Sequence, residues 1–440
     1  MPIKFADLFA GIGGFHAVGH AFGWSAAYAC DIDEHAREIY EHNWSFTPAT
    51  DITEDANDDK MQIPTHDVLF AGFPCQPFSK SGKQNGMDEA RGTLFWNIAR
   101  TIEVHTPAVV LLENVPNLAG PRHKDDWKII IKTLRELGYR VSSEPLIISP
   151  HKIPKKHGGR PQTRKRIYIA ASYVPAAERK KYPLDAPQIK IQEFDWHPDE
   201  WDLLSDIKME SGATNQDLKK LKITSSEKKW LDAWDEFVRE ILNVRNNEKL
   251  PGFPIWADVW LGDIKKKSTD PEWKTDFIRK NTEFYKDHKK VIDSWLKKFQ
   301  YLEDFPPSRR KLEWQAGELK SIYKCLIQLR PSGIRVKKVN YAPALVAITQ
   351  TTIVGPLRRR LSVREVAQLQ GLPSWFNFRA QPLAKSYKQL GNGISIGCAY
   401  QVIKSLAERD KDLLRKVHPQ LLRSIQTSGD SPDTHLRRKP

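Results

Sequence analysis

The N-terminus constrains the fold more than any other part of the chain. Residues 3–9 form an apolar run typical of a buried strand, and the chain then turns through Gly11, Gly13 and Gly14 before a helical pattern begins. A strand, a glycine-rich turn and a helix in immediate succession open a nucleotide-binding α/β fold, because glycine lets the backbone approach a ligand closely. The Gly-x-Gly-Gly pattern is shorter than the full dinucleotide fingerprint, so tight packing alone would also explain it.

Acidic residues follow the next strands. The second predicted strand ends in Asp31-Ile32-Asp33. Asp31 follows the glycine turn at close to the offset, roughly 20 residues, at which a carboxylate accepts hydrogen bonds from a ribose diol. Asp33 is placed to cap the next helix, so we expect ribose binding from Asp31 and capping from Asp33. Asp51, followed by Ile52, ends the next strand and is placed to face an adenine ring.

A cysteine follows the predicted buried strand of residues 67–71. Cys75 lies between Pro74 and Pro77, and the two prolines fix the local backbone. A lone cysteine is more often a small buried side chain than a nucleophile, so other residues must decide its role. Residues 79–86 are rich in glycine and polar groups, which predicts a mobile, basic loop after the cysteine.

An acid and two arginines complete the candidate site. The apolar strand 107–112 ends directly in Glu113. Burial of a carboxylate is unfavourable, so such a position raises the pKa and suits the group to donate a proton. Strand alternation puts Arg164 and Arg166 on one face, where two guanidiniums could converge on one anion or one base edge. A solvated basic strand end is the alternative explanation.

Composition narrows the class of partner. The formal charge of +15 and pI near 9.4 favour a polyanion, with nucleic acid first. The four cysteines form no Cys-x-x-Cys pair, so the sequence predicts neither a disulfide framework nor a structural metal site. No apolar run approaches the length of a membrane span, and we expect a cytoplasmic protein.

The motifs together resemble those of the DNA cytosine-5 methyltransferase family, in the order and spacing of that family. The matching segments are Asp7-Leu8-Phe9-Ala10-Gly11-Ile12-Gly13-Gly14, Gly72-Phe73-Pro74-Cys75-Gln76-Pro77-Phe78-Ser79, Glu113-Asn114-Val115, Gln162-x-Arg164-x-Arg166, Arg359-Arg360-Leu361-Ser362-Val363-Arg364-Glu365 and Gln389-Leu390-Gly391-Asn392-Gly393-Ile394-Ser395. The resemblance covers roughly residues 1–172 and 340–405.

The resemblance implies an α/β fold, with a Rossmann-like S-adenosylmethionine-dependent methyltransferase domain and a smaller target-recognition domain. We expect residues 1–174 and 386–412 to form the discontinuous catalytic and cofactor domain, and residues 175–385 the small domain. Residues 413–440 would be a C-terminal tail, disordered beyond about Gln426. Aromatic residues between 191 and 315 recur at helical spacing, which predicts the core of the small domain rather than stacking platforms for bases.

The resemblance also implies roles for individual residues. Cys75 would add to C6 of cytosine, Glu113 would hydrogen-bond or protonate N3, and Arg166 with Arg164 would hold the O2 side of the base. The methyl donor would be S-adenosylmethionine, with no metal. The residues expected to bind it are Asp7, Phe9, Gly11, Gly13, Gly14, Asp31, Ile32, Asp51, Ile52, Pro74 and Asn392.

The expected substrate is double-stranded DNA. The reacting atoms of a stacked cytosine cannot be reached within the duplex, so the base must be flipped out. Residues 79–92 are the expected lid. The expected DNA contacts are Ser81, Lys83, Gln84 and Arg91 in this loop, and Arg330 and Arg335 in the expected small domain.

Two other functions fit part of the sequence. A tRNA-modifying branch shares the Pro-Cys-Gln motif, and a methyltransferase-like protein could bind DNA without catalysis. The second is disfavoured because Cys75, Glu113 and Arg166 are all present. The setting implied is a bacterial restriction–modification system, with a restriction endonuclease as partner but no stable complex. One chain that holds every motif predicts a monomer.

Overall fold

The computed structural model describes residues 2–74, 93–210, 216–265, 267–345 and 351–439. The chain divides into two compact units. The first comprises Met1–Trp201, Ala344–Ala347 and Val366–Pro440, and the second comprises Asp202–Pro343 and Ile348–Glu365.

The second unit is smaller than the domain expected over residues 175–385. The second unit starts later than expected because residues 175–201 pack within the first unit. There, Trp201 Nε1 donates a hydrogen bond of 2.9 Å to the carbonyl of His151. At its end, Asn377 N donates to Asn43 Oδ1 at 2.7 Å, again within the first unit. Both ends of the expected small domain therefore belong to the first unit.

The first unit is an α/β structure. Its strands in the described ranges are β1 (Lys4–Leu8), β2 (Ser25–Cys30), β3 (Val68–Ala71), β4 (Val109–Asn114), β5 (Tyr139–Arg140), β6 (Leu146–Ile148) and β7 (Arg166–Tyr173). Its first helices are α1 (Gly14–Ala21), α2 (Glu34–Trp44), α3 (Ile52–Asp55), α4 (Leu94–His105) and α5 (Lys124–Glu136). The sheet order is β2-β1-β3-β4-β7-β5, and β6 also pairs with β7.

The first four strands are parallel, and β7 runs antiparallel to β4. β3 and β4 are buried throughout and β1 is buried after its first residue, which explains their nearly continuous apolar sequence, whereas only the second half of β2 is buried. The chain goes from β1 to β2 on one side and then to β3 on the other, so the direction of winding reverses at β1. Ligands of open α/β sheets bind at the carboxyl ends of the strands at such a point. The predicted fold class is confirmed.

The C-terminal residues form helices instead of a disordered tail. They are α14 (Ile396–Arg409), α15 (Lys411–Val417), α16 (Pro419–Thr427) and α17 (Asp433–Leu436), preceded by α13 (Leu383–Asn392). Trp375 Nε1 donates to the carbonyl of Leu436 at 2.8 Å, and Arg160 Nη2 donates to Asp433 Oδ1 at 2.6 Å. The prediction of disorder beyond Gln426 was wrong because these long-range partners fix a segment that has few apolar residues of its own.

The second unit combines helices with a six-stranded sheet of order β13-β12-β10-β11-β9-β8 in the described ranges. Its helices are α6 (Leu203–Asp206), α7 (Gln216–Lys220), α8 (Ser225–Val244), α9 (Ala257–Trp260), α10 (Glu272–Asp287) and α11 (Lys289–Lys298), and α12 (Val363–Gln370) contains the last boundary between the units. Its strands are β8 (Ile255–Trp256), β9 (Lys311–Gln315), β10 (Leu326–Arg330), β11 (Gly333–Lys337), β12 (Ile353–Val354) and β13 (Arg359–Arg360).

Aromatic residues at helical spacing form much of the core of the second unit, as predicted. Trp234 and Phe237 on α8 pack with Trp295 on α11, and all three are buried. Of the helices in the described ranges, none has the length and apolar character needed to cross a membrane.

Candidate active site

A cavity of about 550 Å³ opens at the carboxyl ends of the parallel strands of the first unit. Nine of the residues predicted to bind the cofactor line it, namely Phe9, Gly11, Gly14, Asp31, Ile32, Asp51, Ile52, Pro74 and Asn392. Asp7 and Gly13 are not on its wall. Glu113 and Arg166 line the same cavity, so one continuous space contains both the predicted cofactor residues and two predicted catalytic residues.

The glycine turn after β1 has a backbone that few residues other than glycine adopt. Gly13 has φ of +89°, and a Cβ atom there would lie 2.1 Å from Trp44 Nε1. The Trp44 indole donates a 3.1 Å hydrogen bond to the carbonyl of Ile12, and this bond holds the glycine turn against α2. Phe9 has φ of +58°, a strained value for an aromatic residue, and such strain is typical of functional sites.

Asp31 joins the glycine turn to the end of β2. Its Oδ2 accepts a 2.7 Å hydrogen bond from Gly11 N, and its Oδ1 accepts one of 2.9 Å from Asp33 N. Burial raises the pKa of Asp31, although these N–H groups lower it. Asp33 caps α2, because its side chain accepts from Ala36 N at 3.2 Å. The predicted cap is therefore confirmed.

Two further residues on the cavity wall, Ile32 and Asp51, differ in character. The Ile32 side chain is 79% exposed on the wall of the cavity, where it offers apolar surface to a ligand. Asp51 begins α3 as its N-cap, and its Oδ1 accepts hydrogen bonds from Thr53 N at 2.9 Å and Thr53 Oγ1 at 2.8 Å. Asp51 thus has a structural role as a helix cap in addition to its place on the wall.

Glu113 lies inside β4, one residue before the strand ends, and its side chain is almost completely buried. Its Oε1 lies 3.0 Å from Nε of Arg166, the first residue of β7. Burial raises the pKa of Glu113, and the positive charges of Arg166 and Arg164 offset only part of this effect. The carboxyl is therefore disposed to carry a proton at a higher pH than an exposed glutamate.

Arg164 does not share the partner of Arg166. Its guanidinium is buried and donates to backbone carbonyls, at 2.9 Å to Gly391, at 3.3 Å to Leu345, and to Gly393. Burial lowers the pKa of Arg164 to about 10, so it stays charged at neutral pH. The sequence predicted that Arg164 and Arg166 would converge on one group, but backbone carbonyls use the donors of Arg164. Arg164 instead acts as a clamp on the last turn of α13, which carries Asn392.

Asp7 is buried within β1 and has no exposed surface. Neither carboxyl oxygen has a hydrogen-bond partner among the described residues. Burial, with the nearby charge of Asp31, raises the pKa of Asp7 well above its usual range. A carboxyl with no exposed surface, which is not on the wall of the cavity, does not suit the direct cofactor contact predicted for it.

Sequence reasoning overlooked Asn114, although it stands in the quoted Glu113-Asn114-Val115 motif. Its Nδ2 donates a 2.9 Å hydrogen bond to the carbonyl of Phe73, which ties the end of β4 to the segment that leads to Pro74. Lys388, which also lines the cavity, was missed as well. No local pattern marks it, because it reaches the site only through the packing of α13.

The remaining predicted residues form two groups. Cys75, Ser81, Lys83, Gln84 and Arg91 fall outside the described residues. Arg330 and Arg335 lie on the adjacent strands β10 and β11 of the second unit. In the described ranges, no group of three or more His, Cys, Asp or Glu side chains could hold a metal ion.

Comparison with known proteins gives the chain a family context. The profile described as C-5 cytosine-specific DNA methylase matches residues 3–408. Type II methyltransferase M.AluI of Cellulosimicrobium cellulans is 41% identical, with 98% of this chain and 96% of the relative aligned. Type II methyltransferase M.BanI of Aneurinibacillus aneurinilyticus is 30% identical over 93% of this chain and 97% of the relative. The crystal structure of S. pombe Dnmt2 methyltransferase aligns over 92% of this chain and 98% of that chain, with 15% identity and a TM-score of 0.45.

Proposed function

Because the chain belongs to the C-5 cytosine-specific DNA methylase family, we propose that it transfers a methyl group from S-adenosylmethionine to C5 of a flipped-out cytosine in double-stranded DNA, at one specific sequence. The observation that carries this proposal is the continuous cavity in the first unit. It contains the glycine turn and Asp31 together with the Glu113–Arg166 pair. Both reactants of a methyl transfer would therefore meet in one space.

The residues that follow β2 suit the cofactor. Each oxygen of Asp31 accepts one backbone hydrogen bond, and its further lone pairs can accept the hydroxyl groups of a ribose. Ile32 supplies an apolar surface for an adenine ring. When bound, S-adenosylmethionine supplies an electrophilic methyl group on a sulfonium centre.

The reaction requires a nucleophile because C5 of an intact cytosine ring is unreactive. In the proposed mechanism, the Cys75 thiolate adds to C6, and the electron pair of the C5–C6 double bond becomes available at C5. Glu113 donates a proton or hydrogen bond to N3 and so stabilises the charge that develops there. Arg166 orients Glu113 and is placed to hold the O2 side of the base. After methylation, loss of the C5 proton lets the thiolate leave from C6.

We include in the proposal a role in a bacterial restriction–modification system, acting as a monomer in the cytoplasm, where the DNA is. The support is that both full-length relatives carry the name type II methyltransferase. DNA from a host that expresses the enzyme should resist a nuclease that cuts at the methylated sequence. DNA from a host that expresses Cys75→Ala should be cut.

The experiment that tests the reaction is transfer of labelled methyl groups from S-adenosylmethionine to unmethylated genomic DNA and, in parallel, to total tRNA. We expect 5-methylcytosine in DNA, absent with Cys75→Ala, and bisulfite sequencing of the product should give the target site. Label in tRNA alone would assign the enzyme to the RNA branch. Tight DNA binding with no label in either substrate would contradict the proposed catalysis.

A further inference from the structure

The sheet of the second unit carries a polar row across three adjacent strands. In the register of β10, β11 and β9, Arg335 lies opposite Gln328 on one side and opposite Glu313 on the other. Arg330 follows Gln328 two residues along β10, on the same face. We call Glu313, Gln328, Arg330 and Arg335 the polar row. Each of its members is partly exposed.

Glu313 pairs with both arginines at once. Its Oε2 lies 2.6 Å from Arg330 Nη2, and its Oε1 lies 2.8 Å from Arg335 Nη2. The glutamate side chain is 20% exposed, and the two arginine side chains are 31% and 30% exposed. One carboxylate therefore contacts two guanidiniums at once and restricts their orientation, while both guanidiniums still reach the surface.

The stability of the sheet does not account for this arrangement. The alternate residues of the same strands, among them Leu312, Ile334 and Val336, are buried and form the core on the opposite face. Exposed ion pairs contribute only about 0–1 kcal/mol each, and partial burial of two guanidiniums opposes that gain. Glu313 also uses a single nitrogen of each guanidinium, and further N–H donors of both groups remain for a ligand.

The charge balance favours a base edge over a phosphate as that ligand. A phosphate is attracted by positive charge from any direction, and a carboxylate between two arginines weakens that attraction. A base edge instead requires donors held in a fixed direction, which a carboxylate provides. Arginine in a fixed orientation matches the O6 and N7 acceptors of guanine in the major groove.

We propose that Glu313 is a positioning residue for DNA recognition, which holds Arg330 and Arg335 in the orientation that reads guanine in the target sequence. Gln328, opposite Arg335, contributes a further amide to the same surface. This inference rests on the proposed function for the identity of the ligand as duplex DNA. It adds the residue on which the two arginines depend, and it assigns them to base edges rather than to phosphates.

The test is selection of bound sequences from a random duplex library, which measures recognition without methyl transfer. The variants are Glu313→Gln and, as matched control, Glu283→Gln, which removes the same charge from an exposed pair with Arg279 on α10. We expect the wild type and the control to select one sequence that contains guanine. We expect Glu313→Gln to lose about tenfold or more in preference for guanine at one position or more, the size of one bidentate contact.

A second variant separates recognition from folding. Arg335→Lys keeps the charge but lacks the planar fork, so we expect it to relax the guanine preference while the salt dependence of binding stays at the wild-type slope. Wild-type sequence profiles for both Glu313→Gln and Arg335→Lys would overturn the proposal, whatever their melting temperatures. So would a wild type that selects no sequence. Selective binding that Glu313→Gln relaxes, without methyl transfer by the wild type, would support this inference and overturn only the proposed function.

Discussion

Glu113 Oε1 lies 3.0 Å from Arg166 Nε, where the end of β4 meets the start of β7. The glutamate is buried, and its pKa is raised in spite of this positive neighbour. The pair thus combines a carboxyl whose raised pKa favours the protonated form with a cation that lies directly beside it. In the proposed mechanism, this combination protonates N3 of the target cytosine.

The first prediction concerns that proton. Glu113→Gln should lower kcat by about 10²- to 10⁴-fold, because an amide donates a hydrogen bond but cannot transfer a proton. In the wild type, kcat should fall as pH rises through the raised pKa of Glu113, and the variant should lack this limb of the profile. Single-turnover methyl transfer across pH measures both. The control is Glu103→Gln, which changes an exposed glutamate paired with Arg100 on α4; a loss of the same size there would contradict the assignment.

The second prediction separates the two arginines. Arg164→Lys can keep only part of the hydrogen bonding to the carbonyls of Gly391 and Gly393, so the turn that carries Asn392 should loosen. We expect the KM for S-adenosylmethionine to rise about tenfold, the effect of about one lost charged hydrogen bond. Arg166→Lys should instead lower kcat. Steady-state kinetics with each substrate varied in turn distinguishes the two, and an unchanged KM for S-adenosylmethionine in Arg164→Lys would contradict the clamp.

The third prediction compares two glycines of the same turn. Both have positive φ, but a Cβ at Gly11 would meet no atom within 4 Å, whereas one at Gly13 would overlap Trp44. Gly11→Ala should therefore lower the free energy of unfolding by about 1–2 kcal/mol from backbone strain alone. Gly13→Ala should lose a further ~1–3 kcal/mol from overpacking. Urea unfolding without cofactor measures both, and equal losses would argue against the contact with Trp44.

The fourth prediction uses the buried acid of β1. Because folding raises the pKa of Asp7, the stability that its protonated form contributes is full below the unfolded pKa of about 3.9 and is lost as pH rises through the folded value. Asn cannot ionise, so the melting temperature of Asp7→Asn should lack the part of the alkaline decline that Asp7 causes. Thermal unfolding from pH 5 to 9 measures this difference. Asp58→Asn, at an exposed site, should follow the wild type.

Local features of the sequence predicted much of this structure. The strand, glycine turn and helix at the N-terminus depend on neighbouring residues alone, as does the cap at Asp33. A Ser-x-x-Glu capping box likewise opens α12, with Ser362 N donating to Glu365 Oε2 at 2.8 Å and Glu365 N donating to Ser362 Oγ at 3.1 Å. The aromatic stripe of α8 is buried because its spacing matches one face of a helix.

Local sequence patterns do not reveal contacts between residues that are far apart in the chain. Alternation placed Arg164 beside Arg166, but its partners are the carbonyls of Gly391 and Gly393, more than 220 residues away. The link between Glu313 and Arg335 depends on the pairing of β9 with β11, and no spacing within either strand reveals it. The helices after Arg409 likewise depend on partners from distant parts of the first unit.

The most direct test of the account is whether Cys75 becomes covalently attached to the target base. Fluorine at C5 cannot leave as a proton does, so methylation of 5-fluorocytosine in the target sequence should trap the enzyme on the DNA. With S-adenosylmethionine present, we predict a complex that survives denaturation, carries one added methyl group and maps to Cys75. Cys75→Ala should form none. Attachment at another residue, or methyl transfer by Cys75→Ala at the wild-type rate, would contradict the account.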